Sequence, residues 1–357
     1  IPWLQGANTG INGNGNYLCV GGIAFNPLVP NQLIAAAGTG VWNTIVPSNL
    51  TWSTPITWND QSLGIEQLVA NEIVVAPGGK PVLASWDRPF FYIGDMNAYP
   101  SSYGPVASTN IVAGWSLDYA SSNPNFLVGI ADWWGTEQSG YSTDGGKTWT
   151  PFATEIPGAG SSFIGGSIAA ASPTNIVWAP AGETNPYYTT DGGLTWNLVN
   201  LPGVTSYKNF QWSPYLDIQA VTADRVLANT FYMYLPTAGV FRSVNGGVTW
   251  TKVYSGELSA NSQWNSELQS VPGQASNLFF TGGPQAADPT EPFLRSTNGG
   301  TTWTAIANVT EVTCFGFGAS ATPGGYPAIY IVGFVNHVYG IWQSVDNAQS
   351  WTNIGTY

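Results

Sequence analysis

The side chains of this chain with chemistry to offer are carboxylates and aromatic rings, and five stretches gather them. They are Asp132-Trp133-Trp134-Gly135-Thr136-Glu137, Glu183-Thr184-Asn185, Tyr232-Met233-Tyr234, Asp288-Pro289-Thr290-Glu291 and Asn336-His337-Val338-Tyr339. Positioned carboxylates can act as general acid and general base, and rings with a polar tip stack on neutral, hydroxyl-rich ligands. Trp133, Trp134, Glu137, Tyr232, Tyr234, His337 and Tyr339 are therefore candidate substrate contacts, and Asp132 is a candidate catalytic acid. Other chemistries lack their parts. A single histidine, His337, and two cysteines, Cys19 and Cys314, without metal-type spacing leave no metal or cofactor to expect. There is no Gly-x-Ser-x-Gly elbow, and one histidine leaves little room for a Ser-His-Asp triad. Gly-Gly pairs fall in turns rather than at helix starts, so nothing points to a phosphate cradle.

Charge narrows the partner. Only 8% of residues are charged, 20 acidic against 8 basic, for a formal net charge of −12. Nucleic acids and anionic membranes both call for a basic surface, so neither is expected. Seventeen Trp and seventeen Tyr in a chain so poor in charge suit a polysaccharide ligand, although most of these rings are read as packing anchors. No apolar run approaches a membrane span and no signal peptide is visible, while the abrupt start at Ile1-Pro2-Trp3 reads as a mature, extracellular chain.

These candidates need a scaffold, and an internal repeat supplies it. Ser142-Thr143-Asp144-Gly145-Gly146-Lys147-Thr148-Trp149 recurs as TTDGGLTW at 189–196, SVNGGVTW at 243–250 and STNGGTTW at 296–303, with a worn copy, SVDNAQSW, at 344–351. Between Asp144, Asp191, Asn245, Asn298 and Asp346 the steps are 47, 54, 53 and 48 residues. A period near fifty signals a repeat architecture. An Asp or Asn ahead of Gly-Gly makes a tight turn, because the side chain accepts from backbone just ahead while glycine takes positive φ at little cost. Short β-rich runs flank each turn, so each box is a hairpin corner whose Trp anchors it between sheets. The boxes resemble Asp-box repeats, and their acids read as turn residues rather than catalysts.

Units begin near Gly21, Ile65, Ala113, Phe163, Lys208, Gln263 and Val312. About seven such units fit the chain, so the expected fold is all-β: a single seven-bladed β-propeller over residues 1–357, with four-stranded antiparallel blades. Cys19 and Cys314 fall on the inner strands of the first and last units, where ring closure would make them neighbours, either bridged or as two buried thiols. In a four-stranded meander the turns alternate between rims. The boxes, between third and fourth strands, would line one rim, and the acid- and ring-bearing loops the other.

Gly64-Ile65-Glu66-Gln67-Leu68-Val69-Ala70-Asn71-Glu72, continuing through Ala76-Pro77-Gly78-Gly79 to Leu83-Ala84-Ser85, carries a second resemblance. The passage is similar to the junction motif of glycoside hydrolase family 74, whose members cleave xyloglucan and related β-glucans. Ile23-Ala24-Phe25-Asn26-Pro27 and Tyr326-Pro327-Ala328-Ile329-Tyr330 fit the same family. The match covers most of the chain but only the second of the family's two propellers. It implies an inverting hydrolase with a carboxylate on each side of the scissile bond, roughly 6.5–9.5 Å apart to admit water. The family's second-propeller Asp falls on Glu72, which keeps the carboxyl but shifts it by one methylene. The other acid would come from Asp87 or Asp132 or Glu137 on this chain, or from a second propeller or another copy; failing these there is no hydrolysis, and the ring binds glycan or assembles. Asp-box propellers also include sialidases, which clamp a carboxylate with three arginines. Of Arg88, Arg225, Arg242 and Arg295, the last two directly precede boxes, leaving too few for that clamp.

Overall fold

The Asp-box segments close as their residue types require. In the first, Ser142 Oγ donates to Asp144 Oδ1 at 2.8 Å and accepts from Gly146 N at 2.8 Å. Thr148 then donates its N–H to Asp144 Oδ1 (2.9 Å) and its hydroxyl to Oδ2 (2.7 Å). Gly145 and Gly146 sit at φ 77° and 92°, a region that costs other residues strain. Trp149 Nε1 returns to Gly146 O at 3.2 Å. Where the acid is replaced by Asn245 or Asn298, the amide oxygen accepts from the same threonine N–H and the amide nitrogen donates to its hydroxyl. The worn copy keeps the turn, with Asn347 and Ala348 held at φ 65° and 63° in place of the glycines.

In the computed structural model the described residues exclude 1–19, 38–39, 65–67, 87, 102, 105–112, 134–135, 138, 158–164, 182–184, 206, 208–218, 237, 260–265, 284–289 and 357. The rest is all-β, with no helix long and apolar enough to cross a membrane. β1 (Val20–Phe25), β2 (Gln32–Ala37), β3 (Gly40–Ile45) and β4 (Asn59–Asp60) form a first antiparallel meander. β5 (Ala70–Val74), β6 (Val82–Ser85) and β7 (Phe90–Tyr92) form a second, of three strands and without a box. The third runs β8 (Ala113–Ala120), β9 (Asn123–Trp133), β11 (Gly140–Ser142) and β12 (Thr150–Pro151), with β10 (Thr136–Glu137) paired to the end of β9. The fourth is β13 (Ser167–Ala170), β14 (Ile176–Ala179), β15 (Tyr187–Thr189) and β16 (Asn197–Leu198). The fifth is β17 (Val221–Ala223), β18 (Phe231–Leu235), β19 (Gly239–Ser243) and β20 (Thr251–Tyr254).

Two further meanders fuse into one seven-stranded sheet: β21 (Glu267–Ser270), β22 (Leu278–Thr281), β23 (Pro292–Ser296), β24 (Thr304–Gly318), β25 (Ala328–Val335), β26 (Val338–Ser344) and β27 (Thr352–Gly355). The long β24 closes one meander and opens the next. Its register breaks between Thr310 and Cys314, around Glu311 at φ 50°. Cys314 is exposed there, and its expected neighbour, Cys19, lies outside the described residues.

Successive sheets pack face to face through their first strands, in the order β5, β8, β13, β17, β21. Val82, Phe90, Leu117 and Leu127 fill the first interface and Phe126, Ile130, Ile168 and Trp178 the next. Val177, Phe231 and Phe241, then Tyr234, Leu268 and Phe280, then Phe279, Phe293 and Ile331 continue the series. This is a propeller-like arrangement, and burial of apolar faces between neighbours is what stabilises it. The first sheet joins it differently. It meets the second through Trp42 of β3, which packs on Phe91 and Tyr103, while Ile23 and Phe25 of β1 stay 67% and 64% exposed.

The two rims are distinct. Gly145 N bonds Asn125 O, Gly192 N bonds Thr174 O, Gly246 N bonds Asn229 O and Gly299 N bonds Ser276 O. These four boxes are thereby tied to the start of the second strand, or the turn just before it, in their own sheets. Loops between second and third strands open on the opposite rim.

Candidate functional site

The first strands β5, β8, β13, β17, β21 and the second half of β24 line a cavity of about 260 Å³. A strand facing this axis has no further strand to satisfy its outward N–H groups, which must find partners elsewhere. Side chains of the preceding sheet provide them. Ser116 Oγ accepts from Ile168 N (3.2 Å), Asp118 Oδ2 from Ala170 N (2.9 Å), Ser167 Oγ from Ala220 N (3.1 Å) and Thr222 Oγ1 from Ser270 N (3.2 Å). Two glutamates belong to the same series. Glu72 Oε2 accepts from Leu117 N at 2.7 Å, and Glu267 Oε2 from Phe315 N at 3.3 Å.

Glu72 does more than latch its neighbour. It projects from the middle of β5 into the cavity, where its Oε1 accepts from the side-chain amide of Gln219, two residues ahead of β17. Gln219 is itself clamped: its N–H donates to Ser266 O (2.9 Å) and its carbonyl accepts from Leu268 N (3.0 Å). One oxygen of Glu72 thus receives a backbone N–H and the other a side-chain amide borne on a clamped backbone, an environment suited to a carboxylate.

A second, largely buried charge stands in the same cavity. Arg225 pairs with Asp118 at 2.5 Å, donates to Tyr119 O at 2.9 Å and lies over the Tyr119 ring at 4.3 Å. Burial is the largest influence and disfavours its charge, but Asp118, Tyr119 and Glu72 together outweigh it and leave the guanidinium more basic than usual. Burial likewise pushes the Tyr119 phenol up, against the opposing charge of Arg225.

The structure separates the other expected site residues. Asp132 and Trp133 end β9, and Glu137 in β10 stands directly across from Asp132. Asp132 also faces Ala113, the first residue of β8, which puts this acid-bearing hairpin on the rim away from the boxes. Asp87 and Trp134 lie outside the described residues. His337 and Tyr339 lie at the β25–β26 hairpin on that same rim. Asn336 and His337 form its two-residue corner at φ 50° and 65°, and Tyr339 is 41% exposed beside Phe334.

Tyr232 and Tyr234 correct the expectation of a ligand-facing loop. They lie within β18, 0% and 1% exposed, because a strand packed on both faces buries every residue and the loop comes only after Leu235. Tyr232 donates to Asp224 Oδ2 (2.9 Å), and burial followed by that carboxylate raises its pKa. Tyr234 packs edge-on against Phe280. Nothing local to Gln219, Arg225 or Glu267 marks them in the sequence: the partners of Gln219 and Arg225 stand on β5 and β8, several sheets back, and Glu267 latches the opening strand of the next meander.

Comparison with known proteins fits this geometry. The BNR/Asp-box repeat model matches residues 141–151 and 187–198. A xyloglucanase from Paenibacillus sp is 27% identical over 344 residues, covering 94% of this chain and 31% of that protein. Xyloglucanase Xgh74A from Acetivibrio thermocellus is 27% identical over 345 residues, covering 94% and 37%. The chain resembles the GH74 xyloglucanases. Among solved structures, the GH74 enzyme of Niastella koreensis superposes with a TM-score of 0.73 at 29% identity, covering 94% of this chain and 44% of that one. The GH74 xyloglucanase of Xanthomonas campestris gives 0.72 at 26% identity, covering 93% and 45%. This chain therefore spans less than half the length of the GH74 relatives it matches.

Proposed function

We propose that this chain is a carbohydrate-directed propeller of a glycoside hydrolase that cleaves xyloglucan-type β-glucan outside the cell, with Glu72 as one of two carboxylates in an inverting acid/base mechanism. The observation that carries the reading is the GH74 likeness over 94% of the chain together with Glu72. By the resemblance around residues 64–85, the junction motif's Asp falls on Glu72, and this carboxylate is aimed into the axial cavity and held by two donors. Inversion needs a second carboxylate across a gap roughly 6.5–9.5 Å wide. Asp132 and Asp87 are the candidates on this chain, and a second propeller or another copy is the other source. Trp133, Glu137, His337 and Tyr339, on or next to rim loops, would bind the glycan, and so would Trp134. We also propose that the sheets form a single seven-bladed ring, with the first meander completing the succession.

One observation favours a second reading, a non-catalytic glycan-binding or assembly propeller. Glu72 shares its latching role with Ser116, Ser167 and Glu267, so that role alone accounts for an acceptor at this position. Reducing-end release from xyloglucan and mixed-linkage glucan by wild type and Glu72→Gln separates the two. Release that falls at least a hundredfold in the variant supports catalysis. No release by wild type from either glucan, with glycan binding intact, supports the second reading.

A further inference from the structure

We infer that Gln219 is the positioning residue for Glu72, fixing the orientation of its carboxylate and favouring its ionised form. For its catalytic meaning this rests on the reading of Glu72 above. For its chemistry it rests on the channel alone. A glutamate side chain has three rotatable bonds, and the latch of one oxygen to Leu117 N does not by itself orient the other. The Gln219 amide removes that freedom by donating to Oε1 from the far wall. Its own backbone is fixed in turn, because it is bonded on both sides to the strand that carries Glu267. The arrangement has an internal counterpart: Glu267 has one oxygen latched to Phe315 N, and its other accepts from the Gln269 amide. There the amide lies two residues away on the same strand, whereas Gln219 lies 147 residues from Glu72. A long-range donor on a clamped backbone is a device for orientation, since a donor to a charged acceptor is worth more when it need not be ordered first.

Among the described residues, Arg225 acts on the charge of Glu72, with Asp118 and Tyr119 against the guanidinium and Glu267 cross-strand from Gln219. All stay in place when only residue 219 is changed, so a shift in the Glu72 titration reports on the amide. Gln219→Met keeps the length and removes the donor. Gln219→Lys keeps a donor and makes it cationic. The measurement is the carbon-13 carboxyl titration of Glu72 in the whole chain, alongside pH–rate profiles on xyloglucan.

The Met variant is expected to titrate at higher pH than wild type and the Lys variant at lower pH. The Met variant should also lose about tenfold to a hundredfold in kcat with KM little changed, because the misplaced group is the reacting one. Opposite shifts from two substitutions at one site are not produced by loosened packing. Identical Glu72 titrations in all three proteins would overturn the inference, even if activity fell. Loss of hydrolysis without any Glu72 dependence would instead overturn the proposed function, and the titrations would still decide the role of Gln219. Gln269→Met is the control, and it should leave the Glu72 titration where it was.

Discussion

The box rim and the axial channel both hold acids by hydrogen bonds, but over very different distances along the chain. Asp144 takes its bonds from Ser142 and Thr148, two and four residues away. Glu72 takes its bonds from Leu117 and Gln219, 45 and 147 residues away. The first kind of acid shapes a turn and is complete within one hairpin. The second joins sheets to one another, and it exists only once several of them have assembled around the axis. Acids of the first kind are exchangeable for amides within this molecule, as Asn245 and Asn298 demonstrate. Among the described inner strands the latching acids Glu72, Asp118 and Glu267 alternate with the hydroxyls of Ser116, Ser167 and Thr222 rather than with amides.

The contrast can be broken most forcefully at Arg225. Replacing it with Met would leave Asp118 buried with its charge uncompensated, and a loss of about 3–5 kcal/mol is expected, read as a lowered denaturant midpoint. A loss below about 1 kcal/mol would mean that the channel tolerates free charge as the rim does.

Gly146→Ala probes the rim by shape. Its new Cβ would lie 2.4 Å from Val82 Cγ2, on a backbone at φ 92°. Destabilisation of about 1–3 kcal/mol is expected from the strain, measured by the same titration. A variant as stable as wild type would show that the box need not lean on the preceding sheet.

Asp144→Ala removes the acceptor for both Thr148 bonds on a partly exposed turn, and should cost about 1–2 kcal/mol. The smallest effect sharpens the comparison by pH. The hydroxyls of Thr189 and Thr195, with backbone donors, hold Asp191 at about 2, and Ser350 does the same for Asp346, also at about 2. A carboxyl depressed in the folded state stabilises at pH above its unfolded value near 3.8, and that contribution is lost as pH falls towards 2. Because Asn245 and Asn298 make the same turn bonds in the amide boxes, Asp191→Asn should leave stability at pH 7 within about 0.5 kcal/mol of wild type. It should also flatten the acid limb between pH 4 and 2, followed by thermal melts across that window. An unchanged acid limb would remove the rim from the account of acid sensitivity.

What the sequence disclosed divides along the same line. The boxes, the meanders and the two rims were legible because their causes are local: Asp-Gly-Gly, a closing Trp, and alternation between turns. The worn copy at Asp346 folds as a box although its glycines have become Asn347 and Ala348, since the Ser344 hydroxyl and the Asp346 carboxylate still make the turn's bonds. Tyr232 and Tyr234 were misplaced because β18 is apolar on both faces and shows no alternation to mark it as a strand. The Gln219–Glu72 and Asp118–Arg225 pairs were invisible, because each joins sheets that are separated in sequence by whole repeats. Only the resemblance around residues 64–85 drew attention to Glu72, and it could not say what would hold that side chain.

The account's central claim is that the carboxylate pinned in the channel does acid/base chemistry rather than only latching one strand to the next. The most direct measurement is proton NMR of the first sugar anomers released from a xylogluco-oligosaccharide by wild type and by Glu72→Gln at equal saturation. The account predicts an inverted anomer from wild type and at least a hundredfold slower release from the variant. A retained anomer, or equal release from both proteins, would contradict it.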